Sequence, residues 1–311
     1  MANLGYIQLV RTCNQACRFC SNPENDYLLT FEEAKAQIDD FVKRDYYGII
    51  LTGGEPTLYE RLEDVIRYGH DKGIHVRMIT NGQKIADEAL LRRLVDAGLS
   101  HVHVSVHTHK PDLQAFLTQK EDSLECISKS LDNLGKTGIT VDVNITIQHY
   151  NAGHLDEFVR WLVSNWPYLH HFVFNNLDPS SDRVQEYPDV IPKLHEMEVS
   201  LFRALRFLKK SGRTFRVERM PLCYMVEFAD VSTETRKIVK EEERLIHFLD
   251  PRGSYRQTSF NHGKSEVCKH CTLEPICAGL FGMDKYYDSD ELYAVFVPRE
   301  PIVRRILADR D

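Results

Sequence analysis

The chain has 311 residues, 42% apolar and 27% charged, with 39 basic and 46 acidic side chains and a formal net charge of −7. Such a mix folds as a globular protein and excludes general disorder and fibrous repeats. No apolar run reaches the roughly 18 residues of a spanning helix, residues 1–5 open no secretory signal, and an acidic chain without a basic block argues against nucleic acid as the main partner, so the expectation is a cytoplasmic protein with neither a membrane nor a nucleic-acid partner.

Strand-like segments at 5–11, 48–52, 75–80, 101–107, 140–147 and 170–175 alternate with amphipathic stretches at 31–44, 61–72, 87–97, 123–136, 154–165 and 191–211. Thr30 and Glu33 have capping-box spacing, and Gly73, Gly98 and Gly138 fall at or just past helix ends. Six β-then-α units predict a parallel sheet, either doubly wound or rolled into an incomplete barrel. Two strands choose between these. Val102, Val104 and Val106 alternate with His101, His103, Ser105 and His107, and the apolar residues at 141, 143, 145 and 147 alternate with Asp142, Asn144, Thr146 and Gln148. One apolar face and one polar face fit a barrel whose lumen holds a polar ligand, whereas both faces of a doubly wound sheet are covered. After residue 212 the rhythm stops. Residues 213–219 read as a further strand and 245–260 as a hairpin turning at Asp250-Pro251-Arg252-Gly253. The predicted division is a barrel domain, 1–211, and a smaller Cys-bearing module, 212–311.

The eight cysteines lie at 13, 17, 20, 126, 223, 268, 271 and 277. In a chain without an export signal, clustered cysteines read as metal ligands or catalytic groups before disulfides. Cys126 stands alone and reads as a buried helical thiol. Cys13-Asn14-Gln15-Ala16-Cys17-Arg18-Phe19-Cys20 follows the first strand directly. Three thiolates without a local fourth leave a cubane cluster with one iron open to another ligand; zinc sites more often pair one CxxC with a second pair. Gly53-Gly54-Glu55-Pro56 ends the second strand. Its glycines permit close backbone approach to a ligand, and its carboxylate and carbonyl oxygens accept from an ammonium group. Both motifs stand at the C-terminal ends of neighbouring strands, where ligand sites gather.

With these residues the sequence resembles the radical SAM superfamily: Cys13, Cys17 and Cys20 with Phe19 before the last cysteine, Gly53-Gly54-Glu55-Pro56-Thr57, and Thr80-Asn81-Gly82 closing the third strand. The resemblance spans residues 5–210 and implies an α/β fold, a partial (β/α)6 TIM-like barrel. It implies that Cys13, Cys17 and Cys20 ligate a [4Fe-4S] cluster whose open iron binds S-adenosylmethionine. One electron would then release a 5′-deoxyadenosyl radical that abstracts a hydrogen atom from the substrate. By position, Gly53, Gly54 and Glu55 would hold the methionyl ammonium and Phe19 would lie by the adenine. Thr80, Ser105 and Asn144 would face the cofactor, with turn chemistry or a lumen hydrogen bond as the plainer readings. The reaction implies an external one-electron donor such as flavodoxin or ferredoxin.

His101, His103, His107 and His109 share one strand face, but successive ones stand about 6–7 Å apart along the strand. A shared metal requires two side chains to converge, so core hydrogen bonding is the expectation, with His107 nearest the active end. Cys268, Cys271 and Cys277, with Cys223 upstream, resemble the Twitch form of the SPASM auxiliary module, which implies a second, fully ligated [4Fe-4S] cluster; four thiolates also suit zinc. The resemblance favours modification of a ribosomal peptide. Oxidation or rearrangement of a small metabolite and a non-catalytic iron–sulfur or zinc protein are the other readings.

Overall fold

The structure, a computed structural model, describes residues 4–22, 26–247 and 253–309. Its strands are β1 (Leu4–Val10), β2 (Gly48–Gly53), β3 (His75–Thr80), β4 (His101–Ser105), β5 (Thr140–Ile147), β6 (His171–Asn176), β7 (Thr214–Glu218), β8 (Arg244–His247) and β9 (Ser254–Gln257). The helices are α1 (Phe31–Lys43), α2 (Leu62–Asp71), α3 (Glu88–Asp96), α4 (Pro111–Thr118), α5 (Ser123–Leu134), α6 (His149–Ala152), α7 (Leu155–Asn165), α8 (Asp182–Glu186), α9 (Leu194–Lys210), α10 (Thr233–Lys240) and α11 (Glu300–Ala308). Among the described residues, none of these helices is long and apolar enough to cross a membrane.

All six expected strands form, and β1 to β7 pair in sequence order as a parallel array. The array does not stop at residue 211. β7 pairs with β6, and β8 adds itself parallel to the free edge of β1, carrying β9 antiparallel beside it. The chain beyond residue 211 therefore extends the barrel sheet by three strands. The hairpin forms as expected; residues 250–252 of its expected turn lie outside the described residues. β7 and β8 are not neighbours in the sheet, and Ser232, which caps α10, bridges to Val217 of β7.

The alternation read in the sequence sorts the barrel. Val102, Val104, Val143, Ile145, Phe172 and Phe174 are buried without exposure under the helices. Tyr6, Arg77, His103, Val173, Arg216 and Glu218 line a cavity of about 280 Å³ that Thr233 and Lys237 of α10 and Leu245 of β8 complete. Pairing aligns lumen residues across strands: Ser105, Asn144, Val173 and Arg216 share one row, and His103, Asp142 and His171 share the next. Local signals act as their chemistry dictates. The Thr30 N–H donates to Glu33 Oε2 at 2.8 Å while the Glu33 N–H donates to Thr30 Oγ1 at 3.2 Å. Gly73 and Gly138 take φ of +76° and +75° past α2 and α5, a conformation that costs other residues about 1 kcal/mol or more.

Candidate functional site

The cysteine loop leaves β1 at Val10 and is pinned to a helix that the sequence reading did not contain. The Ala16 and Arg18 N–H groups donate to the Thr118 and Leu117 carbonyls at the end of α4, at 3.1 and 2.9 Å. Arg18 adds a clamp, its guanidinium 4.0 Å from the Phe116 ring centre and 4.4 Å from that of Tyr187. The three thiols converge enough to perturb one another. Burial, with Glu55 and Cys20 nearby, pushes Cys13 up to about 11. Burial, then Cys20 and Cys13, raises Cys17 well above the ordinary thiol range. A coordinated thiol is deprotonated, so a metal bound here would displace these protons.

The Gly53-Gly54 pair makes a close backbone approach of its own. A Cβ on Gly53, at φ +145°, would lie 2.1 Å from the Val10 carbonyl oxygen, and one on Gly54 would lie 2.1 Å from that of Thr12. The Gly54 N–H donates to Val10 O at 2.6 Å and the Glu55 N–H to Thr12 O at 3.0 Å. The two glycines let the end of β2 press against the root of the cysteine loop. Asn22 closes the same corner, donating from Nδ2 to Gly53 O at 2.6 Å.

Glu55 is 1% exposed. Its Oε1 accepts from the Thr57 N–H (3.1 Å), Thr57 Oγ1 (2.6 Å) and Thr80 Oγ1 (2.7 Å), and its Oε2 from the Asn81 N–H (2.8 Å). Burial raises its pKa, and those four donors work against the rise. Glu55 and Thr80 are thus bonded to each other, joining the β2 and β3 exits. Asn81 extends the join: its Nδ2 donates to Asn14 Oδ1 at 2.7 Å and lies 3.6 Å from Cys13 Sγ. Asn81 was visible in the sequence only as part of Thr80-Asn81-Gly82; its reach to the cysteine loop needs the fold.

Phe19 is buried with Leu117, Leu177, Val184 and Val190, its ring edge-on to His107 at 4.5 Å. His107 is a structural side chain: its Nδ1 accepts the Thr146 N–H at 3.2 Å, and burial pushes its pKa down to about 3. Ser105 and Asn144 sit side by side in the lumen row, with Asn144 Oδ1 accepting from Asn175 at 2.6 Å. The structure therefore brings Cys13, Cys17, Cys20, Gly53, Gly54, Glu55 and Thr80 to one corner and places Phe19 beside it. Ser105 and Asn144 lie within the barrel.

The second cysteine set assembles from pieces far apart in sequence. Cys223 lies in the short 3-10 stretch Leu222–Val231, Cys268 in Glu266–His270, Cys271 directly after it, and Cys277 after Glu274–Ile276. Burial pushes Cys223 up to about 12 with Cys277 and Cys268 close enough to contribute. Backbone N–H groups point at sulfur: Leu222 and Gly279 at Cys277 Sγ (3.5 and 3.3 Å), and Val295 at Cys271 Sγ (3.4 Å). The Ser265 hydroxyl lies 3.8 Å from Cys268 Sγ. Tyr287 docks this region on the barrel, donating to the Leu177 carbonyl at 3.0 Å. Cys126 belongs to neither set; it is half-buried on α5.

The profile of the radical SAM superfamily matches residues 7–162, half of the chain. The chain belongs to the radical SAM superfamily. Among its relatives, the GTP 3′,8-cyclase of Aquifex aeolicus is 32% identical over 165 residues, covering 50% of this chain and 51% of that protein. The Fe-coproporphyrin III synthase of Methanosarcina barkeri is 31% identical over 148 residues, covering 46% and 37%. The chain thus spans about half the length, or less, of the curated relatives it matches. Two solved radical SAM structures share the fold over most of its length. Streptococcus suis SuiB bound to S-adenosylmethionine superposes with a TM-score of 0.67 at 14% identity, covering 90% of this chain and 73% of that one. anSMEcpe with bound AdoMet gives 0.63 at 13% identity, covering 89% and 88%.

Proposed function

We propose that this radical SAM chain cleaves S-adenosylmethionine reductively and takes a hydrogen atom from a peptide. The carrying observation is the corner where three half-buried thiols meet the Glu55–Thr80–Asn81 network. Cys13, Cys17 and Cys20 would each give a sulfur to a [4Fe-4S] cluster, leaving one iron for the amino and carboxylate groups of S-adenosylmethionine. Bound there, the pair supplies a 5′-deoxyadenosyl radical. The protein's own residues do the rest. Glu55 fixes the turn after β3 and sets the ammonium subsite together with the carbonyls of 53–55. Phe19 walls the adenine side, and the barrel excludes water that would quench a radical. Ser105 and Asn144 present polar groups from within.

In this reading residues 1–211 carry the radical chemistry and 212–311 the auxiliary module, although the module lends strands to the sheet. Cys223, Cys268, Cys271 and Cys277 would hold the second [4Fe-4S] cluster, which accepts an electron as the substrate is oxidised. Spacing favours a cluster over zinc. Ligand sulfurs around one zinc stand about 3.8 Å apart, given Zn–S bonds of about 2.3 Å. Among the described residues the one group of three metal-binding atoms within 4.8 Å of one another contains no cysteine. A flavodoxin or ferredoxin would supply the starting electron.

The peptide substrate is favoured by fold neighbours that bind peptides themselves: SuiB with its precursor peptide SuiA, and anSMEcpe with a Kp18Cys peptide. A small-molecule substrate is the second reading, carried by the higher identity to GTP 3′,8-cyclases over the barrel. Anaerobic reconstitution with iron, sulfide and dithionite tests the shared chemistry. The account expects 5′-deoxyadenosine from S-adenosylmethionine; a fully loaded protein that forms none would place the chain among non-catalytic iron–sulfur proteins.

A further inference from the structure

The barrel floor, at the opposite end of the strands from the cysteine loop, holds a second group of metal-binding atoms. His101 and His103 on β4 face Asp142 on β5. His101 Nε2 lies 2.7 Å from Asp142 Oδ2 and His103 Nδ1 lies 3.4 Å from the same oxygen. All three side chains are shielded, at 8, 12 and 6% exposure. The donor atoms of the three lie within 4.8 Å of one another, the one such group among the described residues. Two atoms bound to one metal at about 2.0–2.1 Å stand about 3.0–3.4 Å apart. The 3.4 Å separation lies at the upper end of that range, and the 2.7 Å one, a direct hydrogen bond, lies below it. The side chains that seemed too far apart along one strand converge because the partner is on the next strand.

We infer that His101, His103 and Asp142 form a site for a divalent transition metal of the zinc or ferrous class, independent of both cysteine sets. Two imidazoles and one carboxylate are a borderline nitrogen and oxygen donor set. The second ring nitrogen of His103, Nε2, is buried with no hydrogen-bond partner, so no protein hydrogen bond fixes the orientation of that ring from its far side. Burial pushes His103 down to about 3, so it is a neutral imidazole at pH 7. Burial pushes the Asp142 carboxyl up, but the His101 hydrogen bond together with the neighbouring His103, His101 and His171 rings holds it below the usual carboxylate value. The two imidazole rings stack at 4.5 Å and 13°. Seating an ion between them requires a turn about Cβ–Cγ, a broad and soft torsion.

Three protein ligands leave a coordination position open. His103 lines the lumen cavity together with Arg77 and Arg216, so the open position is supplied from that cavity. Its occupant is water or one oxygen of an anionic group whose other oxygens the two guanidinium groups can bind. His101 begins β4 and Ser105 ends it, a separation of about 13 Å along the strand, which keeps the floor site apart from the cysteine corner.

Zinc is the probe. The full-length chain, with its iron–sulfur content restored and measured, is equilibrated with Zn²⁺ and desalted. The expected result is about one retained zinc per chain, lost in Asp142→Asn and His103→Gln while iron content stays the same. The zinc absorption edge of the unmodified chain should show a nitrogen and oxygen shell at about 2.0–2.1 Å; this reading needs no variant to fold. The inference is overturned by a chain that retains no zinc, by zinc that persists in both variants, or by a sulfur shell at about 2.3 Å, which would assign the ion to thiolates.

Discussion

The two cysteine sets are built in opposite ways. The N-terminal set is local: three thiols within eight residues, held from outside by α4, Arg18 and Asn81. The C-terminal set is assembled from Cys223 and a segment that begins 45 positions later at Cys268, and its sulfurs receive backbone N–H groups from Leu222, Gly279 and Val295. A short loop with three thiols can hold a cluster while leaving one corner open. A four-sided pocket closes it. Hydrogen bonds to sulfur and burial are among the factors that set cluster potentials, so on the proposed reading the second site would take electrons while the first would bind S-adenosylmethionine.

The largest effect is expected from removing the first set. Cys13→Ala, Cys17→Ala and Cys20→Ala together should lose about four irons per chain and abolish 5′-deoxyadenosine formation, while the spectrum of the second set persists. Iron analysis and product chromatography read both. Cys223→Ala should do the reverse, losing or weakening the second cluster and retaining 5′-deoxyadenosine formation. Unchanged iron and spectrum in Cys223→Ala would keep the second cluster but remove Cys223 as its ligand.

Glu55→Ala strands buried donors of Thr57, Thr80 and Asn81. Leaving one buried group unpaired costs about 1–3 kcal/mol, so the join between the β2 and β3 exits should loosen. The variant also loses a charge-assisted hydrogen bond to the cofactor's ammonium, worth about 1.5–3 kcal/mol, so S-adenosylmethionine affinity, measured by equilibrium dialysis, should fall roughly tenfold or more. Wild-type affinity would show that the network serves the fold alone. A smaller effect is expected for Arg18→Ala. Loss of its stacking on Phe116 and Tyr187 is worth about 0.5–1 kcal/mol at a partly exposed site. It should quicken iron loss to a chelator without changing the iron content of fresh protein.

The sequence carried much of this arrangement because its signals are local or periodic. Alternation along 101–107 and 140–147 gave both the barrel and its polar lumen, and the Thr30–Glu33 pair gave the start of α1. The cysteine spacing and Gly53-Gly54-Glu55 marked the corner. What stayed hidden depends on contacts between elements. Pro111–Thr118, with a short and weakly patterned run, gave no clear helical period, yet it pins the cysteine loop. The role of the two glycines is set by carbonyls of another strand. β7 followed the end of the βα rhythm and read as part of the module, because pairing with β6 is a long-range event. The convergence of His101 and His103 depends on Asp142, a residue that alternation alone places on a face and not opposite a partner.

The central claim is that one cysteine set leaves an iron for S-adenosylmethionine and the other does not. The direct test is electron paramagnetic resonance of the reduced chain in two forms, one lacking Cys13, Cys17 and Cys20 and one lacking the four C-terminal cysteines, each with and without S-adenosylmethionine. The account predicts that adding the cofactor shifts the signal of the form that keeps Cys13, Cys17 and Cys20 and leaves the other unchanged. A shift in the form that keeps only the C-terminal set, or none in either, would contradict it.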